Sequence, residues 1–410
     1  MIAKTMAVSL FAFSLLLIGS PLAAVSFAAT PNVVTTWYVA PSPTGTGTSG
    51  GSCSAPGFND INLAIAAAHP GDTIFVCAGT YQEQVTVDKT LTLTGVGSPT
   101  IEAPATMAGD SFGYLNIVTV TGPIVTTISG FTIEGPLSVA CNSGNTGTGV
   151  FVQNGATANI KNNIVTMIHD DPIVQCEAYG VGILVGRSAL GTTGYATISH
   201  NTISDYQKGG VVVDGTGSTA TITGNTITGW TASYQTGLGI QIAQNGVQIS
   251  RGAVATVKSN TISDNQCPVD DVNCGPNLVT MSQATGVLTY MSGAGTTVTG
   301  NTFTYNDLGI LVLGDTASQT SNKISYSTDA GILQSEGTGT YTASKNTLSN
   351  NPIGIAIVSD VSTFTSNVKS TTFTSDPIHI QVTTVTPGGL ILKFAGHTFT
   401  ISGDSTINIV

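Results

Sequence analysis

The sequence predicts an all-β solenoid, a chain of short strands wound into stacked coils. One phrase, Asn followed by Thr and an apolar residue, returns at positions 201, 225, 260, 301 and 346. Consecutive copies lie close together: 21 residues separate Asn301 from Asn322, and 24 separate Asn322 from Asn346. This spacing is too short for a two-helix repeat and fits three short strands per coil.

The pattern inside each repeat is typical of strands. In residues 220–227, Ile222 and Ile227 alternate with Thr, so the two residue types point to opposite faces. β-Branched residues suit a pleated strand, and Asn and Gly tolerate the left-handed backbone of a sharp corner. Stacked coils would therefore bury a column of Ile and Val and align the Asn residues in a hydrogen-bonded ladder.

With these features the repeat resembles the right-handed parallel β-helix of the pectin-lyase-like superfamily, over residues 37–368. The resemblance implies a solenoid of three sheets with a short N-terminal capping helix. The same repeat occurs in lyases, hydrolases, epimerases, adhesins and phage tailspikes, so it predicts the fold and leaves the function open.

The chain divides into four predicted segments. Residues 1–29 read as a secretory signal, with Lys4 before an apolar core and small residues at the end; an uncleaved anchor is the alternative. Residues 30–57 give a first strand and a flexible Gly/Ser/Thr-rich lead-in, residues 58–368 the β-helix, and residues 369–410 the strands that cap its end.

The predicted capping helix covers residues 59–69. Asn59 or Asp60 is its expected N-cap. The residues expected to pack inward are Ile61, Leu63, Ile65 and Ala68. A solenoid needs such a cover over its first open coil.

Charge and hydropathy restrict the partners. The formal net charge is −11, and 8% of residues are charged. Nucleic acids and anionic membranes require clustered positive charge and are therefore not expected as partners. No second apolar stretch is long enough to span a membrane, so we expect no span after signal cleavage. The chain is predicted to be secreted, at the cell surface or periplasmic.

Six cysteines fit three disulfides in an oxidising compartment. Metal binding is the competing interpretation, but the sequence has no Cys-x-x-Cys or Cys/His cluster. The expected pairs are Cys53 with Cys77, Cys141 with Cys176, and Cys267 with Cys274.

Function is expected on long loops that interrupt the regular coil. Insertions at residues 133–149, 163–182 and 260–286 occupy equivalent corners and should cluster on one edge. They and the neighbouring corners carry His169, Asp170, Asp171, Glu177, Trp230, Tyr234, Asp264, Asp270 and Asp271.

These loop residues suggest two kinds of site. A glycan would be bound by Trp230, Tyr234 and Glu177. Calcium, which prefers oxygen ligands, is a possible cofactor in the resembled pectate lyases, and its candidate ligands here are Asp170, Asp171, Asp270 and Asp271.

A second charged row follows the strands that begin with Gly. It contains Arg187, Asp214 and Arg251, which join Asp170 and Asp171 as candidate catalytic residues. The alternative is a surface ion-pair ladder, in which each pair contributes about 0–1 kcal/mol.

The outward row of the same strands is apolar. It consists of Phe151, Leu184, Val212, Gln248, Leu288, Leu311, Leu333 and Ala356. We find no carboxylate pair aligned there on adjacent coils, as a glycosidase requires. This favours a binding role, and loops or a partner should cover the strip.

The sequence therefore predicts a secreted protein that binds a polysaccharide or a cell-surface glycan. The alternative is a polysaccharide lyase or glycoside hydrolase that acts through the acidic loops. Outward Thr pairs on the Asn-Thr-Ile strands also resemble ice-binding solenoids, although Thr is the ordinary outward residue of such strands.

Overall fold

Parallel strands stacked in three sheets build the molecule. The computed structural model describes residues 34–41, 47–137, 147–175, 180–268, 274, 277–278, 283–360, 362–386 and 388–410. Each coil contributes one strand to each sheet, and each strand pairs with its equivalent on the next coil. The predicted three-sheet parallel β-helix is thereby confirmed.

The bounds of the strands follow the coils in order. Sheet one contains Thr36–Val39, Thr73–Cys77, Thr92–Val96, Val125–Ser129, Ala156–Lys161, Gly194–Ser199, Thr219–Thr223, Val254–Lys258, Thr297–Thr299, Ser318–Thr320, Thr340–Ser344, Thr363–Lys369, Gly389–Phe394 and His397–Ser402. Sheet two contains Thr80–Gln82, Thr100–Glu102, Thr132–Glu134, Ile164–Thr166, Thr202–Ser204, Thr226–Thr228, Thr261–Ser263, Thr302–Thr304, Lys323–Ser325, Thr347–Ser349 and Thr372–Thr374. Sheet three contains Val85–Val87, Leu115–Thr121, Gly147–Gln153, Val181–Val185, Gly209–Asp214, Asn245–Ser250, Thr285–Tyr290, Leu308–Leu313, Ala330–Ser335, Ile353–Ser359, Ile378–Thr384 and Ser405–Ile409.

The described part also contains short helices and one hairpin. Helix α1 spans Ile61–Ala67, helix α2 spans Ala232–Leu238, and a 3-10 helix spans Ser188–Leu190. Gly50–Ser52 and Ala55–Pro56 pair as an antiparallel hairpin within the predicted flexible lead-in.

Helix α1 covers the first coil, and the first coils hold both of its ends. Asp60 is the N-cap, and the Glu83 carboxylate accepts hydrogen bonds from the backbone N–H groups of Ile61 and Asn62 at 2.9 and 3.2 Å. At the other end, Lys89 Nζ donates to backbone carbonyls, including that of Ile65 at 2.9 Å. Both contacts satisfy backbone groups that a helix terminus leaves unpaired.

One predicted core residue of this helix is not in the core. Ile61, Ile65 and Ala68 are buried as expected, but Leu63 is 55% exposed and Ala64 takes the inward position. At 3.6 residues per turn, Leu63 lies nearly opposite Ile61 around the helix axis, so the expectation was wrong.

A ladder of buried asparagines joins the coils. Asn225 shows the pattern: its Oδ1 accepts from the backbone N–H and the amide of Asn201, while its own Nδ2 donates to Asn260 Oδ1 at 2.9 Å and to the Ile198 carbonyl at 2.9 Å. The same contact repeats through Asn163, Asn201, Asn225, Asn260, Asn301, Asn322 and Asn346. Each amide is therefore satisfied without water.

The parallel coil continues beyond residue 368. Ile378–Thr384 and Gly389–Phe394 pair in parallel with the preceding coil, and only the final two strands, His397–Ser402 and Ser405–Ile409, pair antiparallel. The closing element is consequently shorter than the predicted segment 369–410.

Two of the three expected disulfides are present. Cys53 is bonded to Cys77 and Cys267 to Cys274. Cys141, Cys176 and the predicted signal at residues 1–29 lie outside the described residues. None of the helices in the described ranges has the length and apolar character needed to cross a lipid bilayer.

Replacement of Asn225 tests the ladder. Asn225→Ala would leave buried groups of Asn201, Asn260 and Ile198 without partners, at a cost of about 1–3 kcal/mol for each unsatisfied group. We expect the free energy of unfolding in urea to fall by about 2–4 kcal/mol. Thr226→Ala, one residue away on the exposed face, is the control and should change it by less than about 0.5 kcal/mol. Equal effects of the two substitutions would contradict the role given to the ladder.

Candidate functional site

The long loops meet at the corner between sheets two and three, which we call the loop edge. Gln175, from the loop that follows residue 166, exchanges two hydrogen bonds with the backbone of Gln241, at 2.5 and 2.6 Å. Gln235 of helix α2 donates to the Gln266 carbonyl at 2.6 Å, which connects to the next long loop. The expected clustering of the loops is confirmed.

A charged and aromatic cluster lies under these loops. The Asp205 carboxylate accepts from Trp230 Nε1 at 2.8 Å and lies 3.6 Å from His169 Nε2. The other imidazole nitrogen of His169 is 2.8 Å from the Asp170 carbonyl oxygen. Burial opposes a charge on His169, but the hydrogen bond and negative charge of Asp205 outweigh it and raise the pKa of the imidazole.

The two aromatic residues of this loop have different roles. Trp230 is 5% exposed, and its indole N–H is used by Asp205, so it lies beneath the surface instead of presenting a ring face. Tyr234 packs on it with a ring-centroid distance of 5.4 Å and is itself 46% exposed. Tyr234 therefore carries the exposed ring that the sequence suggested for both residues.

Asp170 and Asp171 are adjacent in sequence but differ in environment. Asp170 is fully buried; its Oδ1 accepts from the Val174 backbone N–H at 3.4 Å, and its Oδ2 has no hydrogen-bond partner. Asp171 is exposed. Burial raises the pKa of the Asp170 carboxyl more than its hydrogen bonds lower it.

Calcium fits the described residues incompletely. An unpaired oxygen such as Asp170 Oδ2 is of the type that a cation would use, yet calcium requires six to eight oxygens. In the described ranges, no three His, Cys, Asp or Glu side chains come together as metal ligands. Asp270, Asp271 and the sugar-binding candidate Glu177 lie outside those ranges. No chemical step is therefore assigned to a metal.

Arg187, Asp214 and Arg251 do converge, at the opposite end of the sheet-three strands. Arg251 Nη1 lies 3.0 Å and Arg187 Nη1 3.6 Å from the fully buried carboxylate of Asp214. Burial acts to raise the pKa of Asp214, but its hydrogen bonds from Ser188, Ser250 and Arg251 prevail and lower it. A strand of six residues, about 20 Å long, separates this corner from the loop edge, so Asp170 and Asp171 do not share one site with Asp214.

The apolar row of sheet three is aligned as the sequence indicated. Its members pair from coil to coil, Phe151 with Leu184 and onward to Ala356. Gln248 divides the row: Phe151, Leu184 and Val212 pack under Tyr114, while Leu311, Leu333 and Ala356 belong to a second buried cluster. The prediction that the strip is covered is confirmed for these residues, since each is at most 9% exposed.

The structure also shows a carboxylate pair that the sequence analysis missed. Leu308 pairs with Ala330, so the residues before them, Asp307 and Asp329, occupy equivalent positions on adjacent coils. Asp307 Oδ2 accepts from the Cys267 backbone N–H at 2.9 Å, and its Oδ1 accepts from Thr328 Oγ1 at 2.7 Å. The statement that no carboxylates align on adjacent coils is therefore corrected for this corner.

Both carboxyls of the pair hold their protons unusually well. Burial, and then the negative charge of Asp329, raises the pKa of Asp307 to about 7. Burial alone raises the pKa of Asp329 to about 6. A sequence signal existed, because each Asp stands two residues before the Gly of its sheet-three strand.

A second missed feature is a pair of exposed tyrosines beside these acids. Tyr305 and Tyr326 occupy equivalent corners, with ring centroids 5.2 Å apart and planes inclined by 14°. They are 50% and 47% exposed. Both have left-handed backbones, with φ of 56° and 57°.

The comparisons with known proteins agree with this architecture. The family model described as right handed beta helix region matches residues 181–373. The chain is a right-handed parallel β-helix protein with the repeat of the pectin-lyase-like class. No match was found among curated protein sequences.

Several solved structures are similar to the chain at low identity. A DFA-IIIase from Arthrobacter chlorophenolicus is 10% identical, with 90% of each chain covered and a TM-score of 0.49. The A-module of a mannuronan C-5 epimerase from Azotobacter vinelandii is 14% identical, covering 84% of this chain and 94% of that one, with a TM-score of 0.48. A pectate lyase is 15% identical, covering 84% and 78%, with a TM-score of 0.38. Residue roles are not transferred at these identities.

The raised pKa values predict how stability depends on pH. Between about pH 4 and pH 7 the unfolded chain releases the protons of Asp307 and Asp329 before the folded chain does, so the free energy of unfolding falls as pH rises. Each unit of pKa difference corresponds to about 1.4 kcal/mol. Asp307→Asn should flatten this decline in Tm, because a neutral amide has no proton to release.

The matched control is Asp88→Asn, which changes an exposed carboxylate. It should leave the dependence of Tm on pH as in the unsubstituted protein. A slope that Asp307→Asn does not change would show that burial of Asp307 is not its cause.

Proposed function

We propose that the protein binds a carbohydrate chain along the loop edge. The observation that supports this most is the exposed, stacked pair of Tyr305 and Tyr326. Tyr234 is the third exposed ring of the same edge and belongs to a loop two coils earlier, or about 10 Å along the axis.

The backbone at these tyrosines is unusual for their size. Equivalent corners carry Asp205, Asp264, Asn350 and Ser375, small polar residues with positive φ. Such residues adopt the left-handed region readily, whereas a bulky side chain there costs about 1–3 kcal/mol. Two tyrosines at this position contribute little to the core, being half exposed, so a surface role accounts better for their strain.

Exposed tyrosines suit carbohydrate chemistry. A Tyr ring offers a rigid apolar area with little entropy to lose on binding, and its hydroxyl adds a hydrogen bond. The outward hydroxyls of Thr304 and Ser325 directly precede the two rings in sequence. A pyranose presents the matching combination of apolar C–H face and hydroxyl rim.

The compartment proposed is extracellular or periplasmic. Disulfides such as Cys53–Cys77 and Cys267–Cys274 persist in oxidising surroundings. The second of them closes a loop that Asp307 holds through the backbone N–H of Cys267. The secretory signal at residues 1–29 remains a prediction from sequence.

A glycan array of immobilised neutral and acidic oligosaccharides tests the proposal. The variants Tyr305→Ala, Tyr326→Ala and Tyr234→Ala should each reduce retention about tenfold, since one aromatic contact contributes about 1 kcal/mol or more. Tyr195→Ala is the control, because Tyr195 is 39% exposed on sheet one, away from the loop edge.

Retention that falls equally in the Tyr195 variant would point to nonspecific adhesion. Failure of the unsubstituted protein to bind any glycan would refute the proposal.

A hydrolase is the second candidate function, and the Asp307–Asp329 pair is the observation that favours it. Glycosidases use one protonated and one ionised carboxyl group. Asp329 is partly exposed with a pKa of about 6, so it can hold a proton in mildly acidic solution. Asp307 is less suited, because both its oxygens already accept hydrogen bonds.

This candidate predicts release of reducing ends from a polysaccharide at about pH 5, and its loss in Asp329→Asn. Asp264→Asn, at a neighbouring corner, should retain activity. If no reducing ends appear while the array still shows binding, the protein is a binder and the hydrolase interpretation is wrong.

A further inference from the structure

The chain contains two arginines, and both contact the same carboxylate. Arg187 and Arg251 are the only arginines among the 410 residues. Their coils lie on either side of the coil that ends in Asp214. Lysine supplies the remaining positive charges, so arginine is reserved for this corner.

Asp214 does not need both guanidinium groups. Its Oδ1 accepts from Ser250 Oγ at 2.7 Å and from Arg251 Nη1 at 3.0 Å. Its Oδ2 accepts from the backbone N–H and hydroxyl of Ser188, each at 2.9 Å, so Arg187 at 3.6 Å is a further, longer contact. One cation and three neutral donors already satisfy the carboxylate.

The corner therefore carries an excess of one positive charge. The pKa of Asp214 is lowered, so this group is ionised in neutral solution and cancels one of the two arginines. The other charge is uncompensated within the triad, in a chain whose net charge is −11. Distant acidic groups weaken it little, because charges farther than about 8 Å are largely screened at physiological ionic strength.

Both guanidinium groups are fixed and remain accessible. Arg187 Nε donates to the Tyr114 hydroxyl at 3.3 Å, and Arg251 lies over the Tyr290 ring at 5.9 Å from its centroid. The side chains are 23% and 47% exposed. A fixed guanidinium loses little entropy on binding and offers paired N–H donors that match a carboxylate or sulfate.

The neighbouring surface is polar where the row of sheet three is otherwise apolar. Gln248 is the half-buried break in that row, and its amide donates to Ser250 Oγ at 3.0 Å. Ser250 in turn donates to Asp214. The break, Ser250 and the two arginines thus form one connected polar group.

We propose that Arg187 and Arg251 bind an anionic substituent, a carboxylate or a sulfate, of a sugar unit. This inference rests on the proposed carbohydrate binding and specifies its substrate class as acidic glycans. Asp214 positions both arginines and does not contact the ligand.

The test measures binding of the full chain to three oligosaccharides of equal length: a uronate, a sulfated and a neutral one. The unsubstituted protein should bind at least one acidic oligosaccharide, with affinity that falls as salt is raised. Arg251→Gln and Arg187→Gln should each weaken that binding about tenfold or more and reduce its salt dependence, while neutral binding stays unchanged. Lys258→Gln, which removes an exposed charge from sheet one, should have no effect.

Further readouts separate ligand binding from a structural role. Arg251→Lys keeps the charge and loses the paired donors, so it should recover only part of the affinity. If the arginines merely stabilise the coil, the Gln variants lower Tm and leave salt dependence unchanged, which overturns the inference.

Failure of this inference is distinguishable from failure of the proposed function. Neutral binding that is lost in the tyrosine variants and unaffected in the arginine variants, with no preference for acidic sugars, supports the proposed function and refutes the arginine site. Absence of binding to every oligosaccharide refutes both.

Discussion

The structure depends on hydrogen bonding between equivalent positions of adjacent coils, and the buried asparagine ladder is its strictest form. An amide with two donors and an acceptor can be satisfied at such a corner only if the next coil presents the same group in register. Ladder partners are separated by as few as 21 and as many as 41 residues in sequence. The constraint therefore fixes the corner and lets the chain vary elsewhere, which confines long insertions to the loop edge.

The same stacking brings equivalent side chains of successive coils close together. A tyrosine repeated at one corner becomes the Tyr305–Tyr326 stack, and an aspartate repeated beside it becomes the Asp307–Asp329 pair. Surface chemistry on such a scaffold is written in rows along the axis. A long polymer can contact a row at several coils, which is consistent with a carbohydrate chain as ligand.

Two buried carboxyls show how neighbours decide chemistry on a shared scaffold. Asp214 and Asp307 are both nearly inaccessible to water, which by itself raises a carboxyl pKa. Arginine and serine donors reverse the effect at Asp214, whereas a second carboxylate reinforces it at Asp307. One corner consequently holds a fixed negative charge between two cations, and the other holds acids that titrate near neutrality.

The sequence by itself determined the repeated structure: strand alternation gave the Ile column and the apolar row, and the spacing of the Asn residues gave the ladder. It also indicated the Arg187–Asp214–Arg251 row, because equivalent positions of a regular coil can be aligned by counting. Tertiary structure alone decided that Trp230 is covered and Tyr234 exposed, and that burial raises the pKa values of Asp307 and Asp329. The physical reason is that alternation specifies inside and outside along a strand, whereas the burial of a corner or loop residue depends on contacts with loops from other coils.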